Sequence, residues 1–515
     1  MKTLPLSFIE DTHEWPSWRA SVSVDKLLEL IQQIHGGHGQ LLTLWGTDER
    51  FQDAGFRLHL AFVYWNTGVL YLQCDLSKDN PSYPSLSAYF PVADRLQRAL
   101  FDLLGLQAEG SEDKRPWLRH NAWPADVFPL RDDVKLTQSF ARDQEAYPFI
   151  RVPGEGVHDI PVGPVHAGII EPGHFRFQVV GERILALEER LGYTHKGVAK
   201  HFQHCHVRKG ALLAGRICGD STVAYAWAFS MAVEHAHALK IPPRAQWFRA
   251  LLLERERTMN HIGDLGGIAN DAGLGFLLTQ CSILKEDMLR LNGKLFGHRY
   301  LMDLITPGGV TVDLDVDGIQ ALSKEIKTLS KETEALLKCY THHEGLQERI
   351  STTGMVSTEW AKKFGMLGLP ARASGVPIDW RTKFRPAPYD HISTRIRGET
   401  IGDIAARVSV RFQEIKKSLR IMDEILTTLP EGTLQESLPA QQAFSSIGLG
   451  CVEGWRGPVF FAIGYESKDL IRWAHVHDPS WQNWPVLEKA ILANIVPDFP
   501  LVNKSFNLSY SGHDG

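Results

Sequence analysis

The chain is poor in cysteine: Cys74, Cys205, Cys218, Cys281, Cys339 and Cys451 are spread over 515 positions. The closest two are thirteen residues apart and no C-x-x-C pair occurs. No local motif therefore builds an iron–sulfur cluster or a structural zinc. Scattered thiols in a long chain read instead as reduced core residues. Long apolar runs are also missing, and the most tempting stretch, Ala211 to Val233, is broken by Arg216 and Asp220, so nothing spans a bilayer. The opening MKTLPLSFIEDTHEW lacks the basic-then-apolar order of a signal peptide, which predicts a soluble, cytoplasmic protein. Nor is there an excess of positive charge. With 55 Lys and Arg against 60 Asp and Glu, the formal charge is −5, which argues against a nucleic-acid or anionic-lipid binder that relies on net charge. The remaining balance, 43% hydrophobic and 22% charged, is globular, and the length suits two to four domains.

The pattern divides the chain. Up to about residue 132 it reads as a small α/β unit. Ser23 precedes a helix with Leu27, Leu28, Leu30, Ile31 and Ile34 on its apolar face, stopped by Gly36-Gly37. Leu58 to Trp65 and Val69 to Cys74 read as strands around an Asn66-Thr67-Gly68 turn. A second helix covers Val92 to Leu104 and ends at Gly105. A polar linker, 133–156, follows. Beyond it, Gly163 to His166 and Phe175 to Val180 read as strands, and the rest as mostly helical. Thr222 to Lys240 is an apolar helix closed by Pro242-Pro243. Pro243 suits the first turn of the next helix, predicted to run to about Gly263. Asp317 to Leu346 and Thr400 to Leu429 are long and amphipathic. The expected class is α+β, with the small domain at 1–132 and a larger, mainly helical bundle with small sheets at 157–515.

Several blocks, in order, carry a resemblance. PVADRLQRALFDLLGL and WPADVFPLRDD resemble the C-type subunit of respiratory complex I. VGPVHAGIIEPGHFRF, ERLGYTHKG, LLLERERTMNHIGDLG, ARASG and RVSVRFQEIKKSLRIMDEIL resemble its D-type subunit and the large subunit of membrane-bound [NiFe] hydrogenases. RWAHVHDPSWQNWPVL and PDFPLVNKSF extend the match almost to the C-terminus. The fused order looks most like the formate hydrogenlyase type.

Departures from that pattern bear on function. Relatives that bind nickel and iron carry R-x-C-G-x-C-x-x-x-H and D-P-C-x-x-C. Here the first reads Arg216-Ile217-Cys218-Gly219-Asp220-Ser221, with Tyr225 at the histidine position, and the second Asn507-Leu508-Ser509-Tyr510-Ser511-Gly512. The former metal positions are thus Cys218, Ser221, Ser509 and Gly512, one thiolate where the chemistry needs four. The family's R-G-x-E proton carrier reads Lys196-Gly197-Val198-Ala199. A processed tail after the last cysteine position is likewise not expected beyond Gly515. The resemblance therefore implies a form that holds no metal itself.

What it implies positively is a peripheral-arm subunit on the cytoplasmic face of the inner membrane. Its partners would be an iron–sulfur small subunit with a [4Fe–4S] cluster, a ferredoxin-like subunit and membrane antiporter-like subunits, not nucleic acid. The chemistry implied is NADH- or ferredoxin-linked quinone reduction coupled to ion translocation; the alternative is a non-catalytic coupling scaffold. Candidate catalytic residues are Asp220, His166, His174 and Tyr225, with Tyr225 expected a turn or more from Cys218-Gly219. Glu254, Arg257 and His261, spaced i, i+3, i+7 on one helix sector, match the family helix that faces the partner cluster. Arg372 matches its active-site wall, either stabilising an anionic ligand or pairing with Asp220. Asp220 or Ser221 could also cap the helix starting near Thr222. His201, His204 and Cys205 could share a helix face, and with His206 read as a polar surface or interface segment rather than a zinc site. Trp473, Trp481 and Trp484 are expected as packing anchors where this chain meets a partner.

Overall fold

The computed structural model describes residues 8–12, 15–52, 54–142, 146–167, 170–438, 447–467 and 469–515. The N-terminal part is built on a five-stranded sheet in the order Ile9–Thr12, Pro16–Ser21, Gly68–Leu76, Phe56–Tyr64, Gln40–Asp48. Pro16–Ser21 runs parallel to Gly68–Leu76 and the other pairs are antiparallel. The hairpin at Asn66–Gly68 falls where the turn residues place it. Helix Val24–Gly36 buries Leu27, Leu30, Ile31 and Ile34, one face at helical spacing. Helix Ala93–Leu104 stops at Gly105, whose φ of 76° is left-handed backbone that glycine adopts freely.

The second part opens with the antiparallel sheet His158–Val162, His174–Val180, Arg183–Arg190. The strand expected at Gly163 to His166 is instead His158–Val162, with 163–166 in the following loop. Gly163 has φ +85° and Pro164 offers no N–H to a ladder, so the strand ends there. Helix Thr222–Ala236 is buried along its whole length. The next helix, Pro243–Asp271, begins at Pro243 but runs past Gly263. Glycine does not end it because the small residues serve packing: a Cβ at Gly266 would meet Cys281 Cβ of helix Gly275–Phe296 at 2.8 Å. The predicted helix 317–346 is split into Val316–His342 and Glu344–Ile350. The break is at His343, whose ring accepts the Leu346 N–H at 3.1 Å. The last long helix, Ile404–Thr428, starts later than expected because Asp403 caps it, accepting Ala406 N–H at 2.7 Å.

A four-stranded sheet in the order Cys205–His206, Leu470–His477, Pro458–Ser467, Ile447–Glu453 was not anticipated. It joins the two parts. Trp45 of the N-terminal sheet is stacked between His59 (5.1 Å) and His475 (4.5 Å). Arg95 reaches across to Glu189 (3.0 Å) and Glu488 (2.6 Å).

Candidate functional site

The fold brings Cys218, Ser221, Ser509 and Gly512 together. Cys218 Sγ lies 3.1 Å from Ser509 Oγ, and Ser509 Oγ accepts the Gly512 N–H at 2.8 Å. Ser221 Oγ accepts from Trp455 Nε1 at 3.0 Å and from Arg456 Nη1 at 3.2 Å. Between them lies an ion pair: Arg456 forks onto Asp220 with Nη1–Oδ1 2.6 Å and Nη2–Oδ2 2.7 Å, a bidentate geometry. Its guanidinium also sits 3.8 Å from Cys218 Sγ and 3.9 Å over the Trp455 ring. Tyr225 is closer to this cluster than its spacing suggested. Its hydroxyl donates to Asp478 Oδ2 at 2.6 Å, and a Cβ on Gly512 would stand 2.4 Å from it.

The helix that follows is not capped through the side chains of Asp220 or Ser221. Glu256, on the neighbouring helix, accepts the Val223 and Ala224 N–H groups at 2.7 and 3.2 Å. Burial pushes its pKa up to about 8. Desolvation acts to raise Asp220 as well, but the Arg456 charge outweighs it and holds the carboxyl below the usual range.

The opposite sector of helix Pro243–Asp271 carries Glu254, Arg257 and His261, all fully buried. Glu254 accepts from Arg381, Tyr389 and Ser418 at 2.8, 2.8 and 2.6 Å. His261 Nε2 is 2.8 Å from Glu414 Oε2, and Arg372 Nε donates to Glu414 Oε1 at 2.8 Å. Arg372 also binds Glu453 (2.7 Å) and approaches Asp379 (3.7 Å). Of the two alternatives for Arg372, pairing with Asp220 is not the one seen: three other acids take Arg372, and Asp220 takes Arg456. Burial keeps the His261 pKa below its ordinary value despite Glu414, and pushes that of Glu453 up.

The two clusters touch through backbone. Gly368 (φ +67°) opens the helix Gly368–Ala373 that carries Arg372. A Cβ on it would stand 1.7 Å from the carbonyl oxygen of Arg456.

Residues 20–140 match the model of the respiratory-chain NADH dehydrogenase 30 kDa subunit, and residues 271–447 that of its 49 kDa subunit. The chain is thus a fusion of a 30 kDa-like and a 49 kDa-like segment. It is 28% identical to formate hydrogenlyase subunit 5 of Escherichia coli (strain K12), covering 98% of this chain and 90% of that protein. It is 26% identical to the C/D component of the NADH-quinone oxidoreductase of Phocaeicola vulgatus, over 88% of this chain and 90% of that one. Among solved structures it shares the fold of a chain of the membrane-bound sulfane sulfur reductase, an archaeal respiratory membrane complex. The TM-score is 0.66 at 22% identity, over 71% of this chain and all of that one. The fusion is thus a complex I-like, hydrogenase-related subunit, and among the described residues no helix is long and apolar enough to cross a membrane.

The donor set of the fusion does not fit a nickel–iron centre. Cys218 is the one thiol at the four positions, and burial together with Asp220 pushes its pKa up to about 12. Hydroxyls and a glycine supply no soft anionic ligand, and the Arg456 cation lies where a metal would need negative charge.

The other sequence candidates of the fusion make no hydrogen bond to Cys218 among the described residues. His166, in the 163–173 loop, is partly exposed, with Nε2 3.5 Å from the Tyr510 hydroxyl. His174 is buried, its ring 5.2 Å from Phe149. Helix Val198–Phe202 stops before His204, and Cys205–His206 is a short strand, so His201, His204 and Cys205 share no helix face. His204 instead pairs with Glu466 at 2.7 Å. Trp484 packs on Tyr510 (5.0 Å), Trp481 on His513 (3.9 Å) and the partly buried Trp473 on His59 (5.0 Å). Sequence reasoning missed Arg456, Glu256, Glu414, Glu453, Asp379 and Arg381. The run Glu453-Gly-Trp-Arg456-Gly, charged residues inside an apolar stretch, was the available signal for two of them.

Proposed function

We propose that the fusion is a peripheral-arm subunit of a membrane redox complex, beside a partner's [4Fe–4S] cluster, in NADH- or ferredoxin-linked electron transfer to an acceptor coupled to ion translocation. Its former metal site serves in this reading as a charge-balanced core. The observation that carries it is the Arg456–Asp220 pair set among Cys218, Ser221, Ser509 and Gly512. That filling favours a coupling role at Cys218 over a quinone pocket there. Partners of the iron–sulfur small-subunit, ferredoxin-like and membrane antiporter-like types belong to the same proposal. So does attachment to the cytoplasmic face of the membrane.

A second reading keeps a quinone, but in the 163–174 loop. It is favoured by His166 beside the buried Tyr510 and by the exposed apolar Val165 and Ile170. The test is purification of the native complex with elemental analysis and a quinone-reduction assay. Iron without stoichiometric nickel is expected, and quinone reduction lost in His166→Ala would select the second reading. About one nickel per chain with hydrogen uptake would overturn both.

A further inference from the structure

A cavity of about 770 Å³ opens where the N-terminal part meets the sheet His158–Val162, His174–Val180, Arg183–Arg190, and it shares no lining residue with the Cys218 cluster. Its wall is cationic: Lys114, Arg115, Arg119, Arg176 and Arg190 line it against two acids, Glu112 and Asp113. Most of that charge has a partner. Arg115 pairs with Asp113 (2.6 Å) and Glu188, and Arg176 with Asp159 (3.2 Å).

Arg190 differs. It is 3% exposed, yet among the described residues no carboxylate lies within ion-pair distance of it. Its Nη1 donates to the carbonyls of Pro116 and Trp117, and its face rests on Tyr147 at 4.1 Å. Its Nε and Nη2 have no protein acceptor among the described residues. Asp102, whose charge it feels, spends one carboxylate oxygen on the N–H groups of Trp117, Leu118 and Arg119. A desolvated cation without a counter-charge is costly, and one that lines an open cavity can take its counter-charge from a ligand.

We propose that this cavity binds a phosphate ester, its oxyanion on Arg190 and Arg176 and its body against Tyr147, Phe149 and Tyr193. Guanidinium groups converging from the segment 114–119 and from two strands suit a tetrahedral oxyanion better than a flat carboxylate. The same phosphate ester could arrive on a lipid head group or on a soluble nucleotide.

Calorimetry on the full chain tests this with two probes, adenosine monophosphate and vesicles of phosphatidylglycerol in phosphatidylcholine. Saturable binding of one probe is expected, and which one binds identifies the source. Arg190→Gln should weaken it about tenfold or more. Arg176→Gln, whose side chain is 25% exposed, should weaken it about threefold without risk to folding. No saturable binding of either probe, affinity unchanged in Arg176→Gln, or succinate binding as tightly as the phosphate probe would each overturn the proposal.

Discussion

The helix Pro243–Asp271 separates two polar regions built on different principles. On one sector, Glu256 and Asn260 face the Asp220 turn, where Arg456 forks onto Asp220 and hydroxyls stand around the pair. On the other, Glu254, Asp379, Glu414 and Glu453 face Arg257, Arg372 and Arg381, four carboxylates to three guanidiniums, with His261 at the edge. The first region touches solvent, since the Asp220 side chain is 37% exposed. The second does not, its members being 0–6% exposed. A local pair can exchange partners with water. A closed network must balance itself, so a change of one charge is felt by every member.

The largest effect that sharpens this contrast is expected from Arg372→Met. It strands Glu414 and Glu453 without their shared cation and should cost about 3–5 kcal/mol in denaturant unfolding of the full chain. Adding Glu414→Gln should recover part of the loss, because the two residues are directly coupled. A loss under about 1 kcal/mol would show that the network is wetter than its burial implies.

Next in size is Gly512→Ala. The new methyl meets the Tyr225 hydroxyl, so overpacking should cost about 1–3 kcal/mol. The cost should fall when Tyr225→Phe is combined with it, measured as a double-mutant coupling. Additive behaviour of the pair would remove Tyr225 from the space next to Gly512.

The third concerns pH. His261 has its folded pKa depressed by burial, so the unfolded chain binds the proton more readily. Stability is then retained above about pH 6.5 and lost as pH falls below it, with a slope of up to about 1.4 kcal/mol per unit from this group. Glu453, whose pKa is raised, acts with the opposite sign, so the informative quantity is the difference from His261→Gln, which should flatten the acid limb. An identical acid limb in the variant would mean that His261 keeps its proton when folded.

The smallest effect is expected from Asp220→Asn. Partial exposure and solvent screening limit the loss to about 1 kcal/mol or less. In the assembled complex, slowed turnover at intact assembly would give Asp220 a proton-carrying role, and unchanged turnover would leave it as the partner of Arg456. A stability cost equal to that of Arg372→Met would erase the contrast between the two regions.

Periodicity and spacing made part of this legible. The sector of Glu254, Arg257 and His261 follows from 3.6 residues per turn, whereas only the family resemblance implied that Cys218 and Ser221 meet Ser509 and Gly512, Cys218 and Ser509 being 291 positions apart. The partners were not legible. Arg456 and Asp220 are 236 residues apart, and Arg372 and Glu414 are 42 apart on different helices. Such pairings are decided by how elements cross, which no local pattern encodes. The sheet containing Ile447–Glu453 escaped for a related reason: every residue of that strand is buried, so it lacks the alternation that marks a strand with one wet face. The cap on helix Thr222–Ala236 was sought next to it in sequence and came from a residue on the following helix instead.

The close approach of Gly368 to the Arg456 carbonyl has a mechanical consequence. No side chain lies between the two backbones, and a Cβ on the neighbouring Gly457 would itself meet Gly368 at 2.9 Å. The contact is stiff, without a compressible layer of methyl groups to absorb displacement. A side chain at Gly368 would therefore have to part Arg456 from the Gly368–Ala373 segment. Arg372 rides on that segment like the short arm of a lever. A substitution at Gly368 would thus disturb both clusters at once, the Asp220 pair and the closed network.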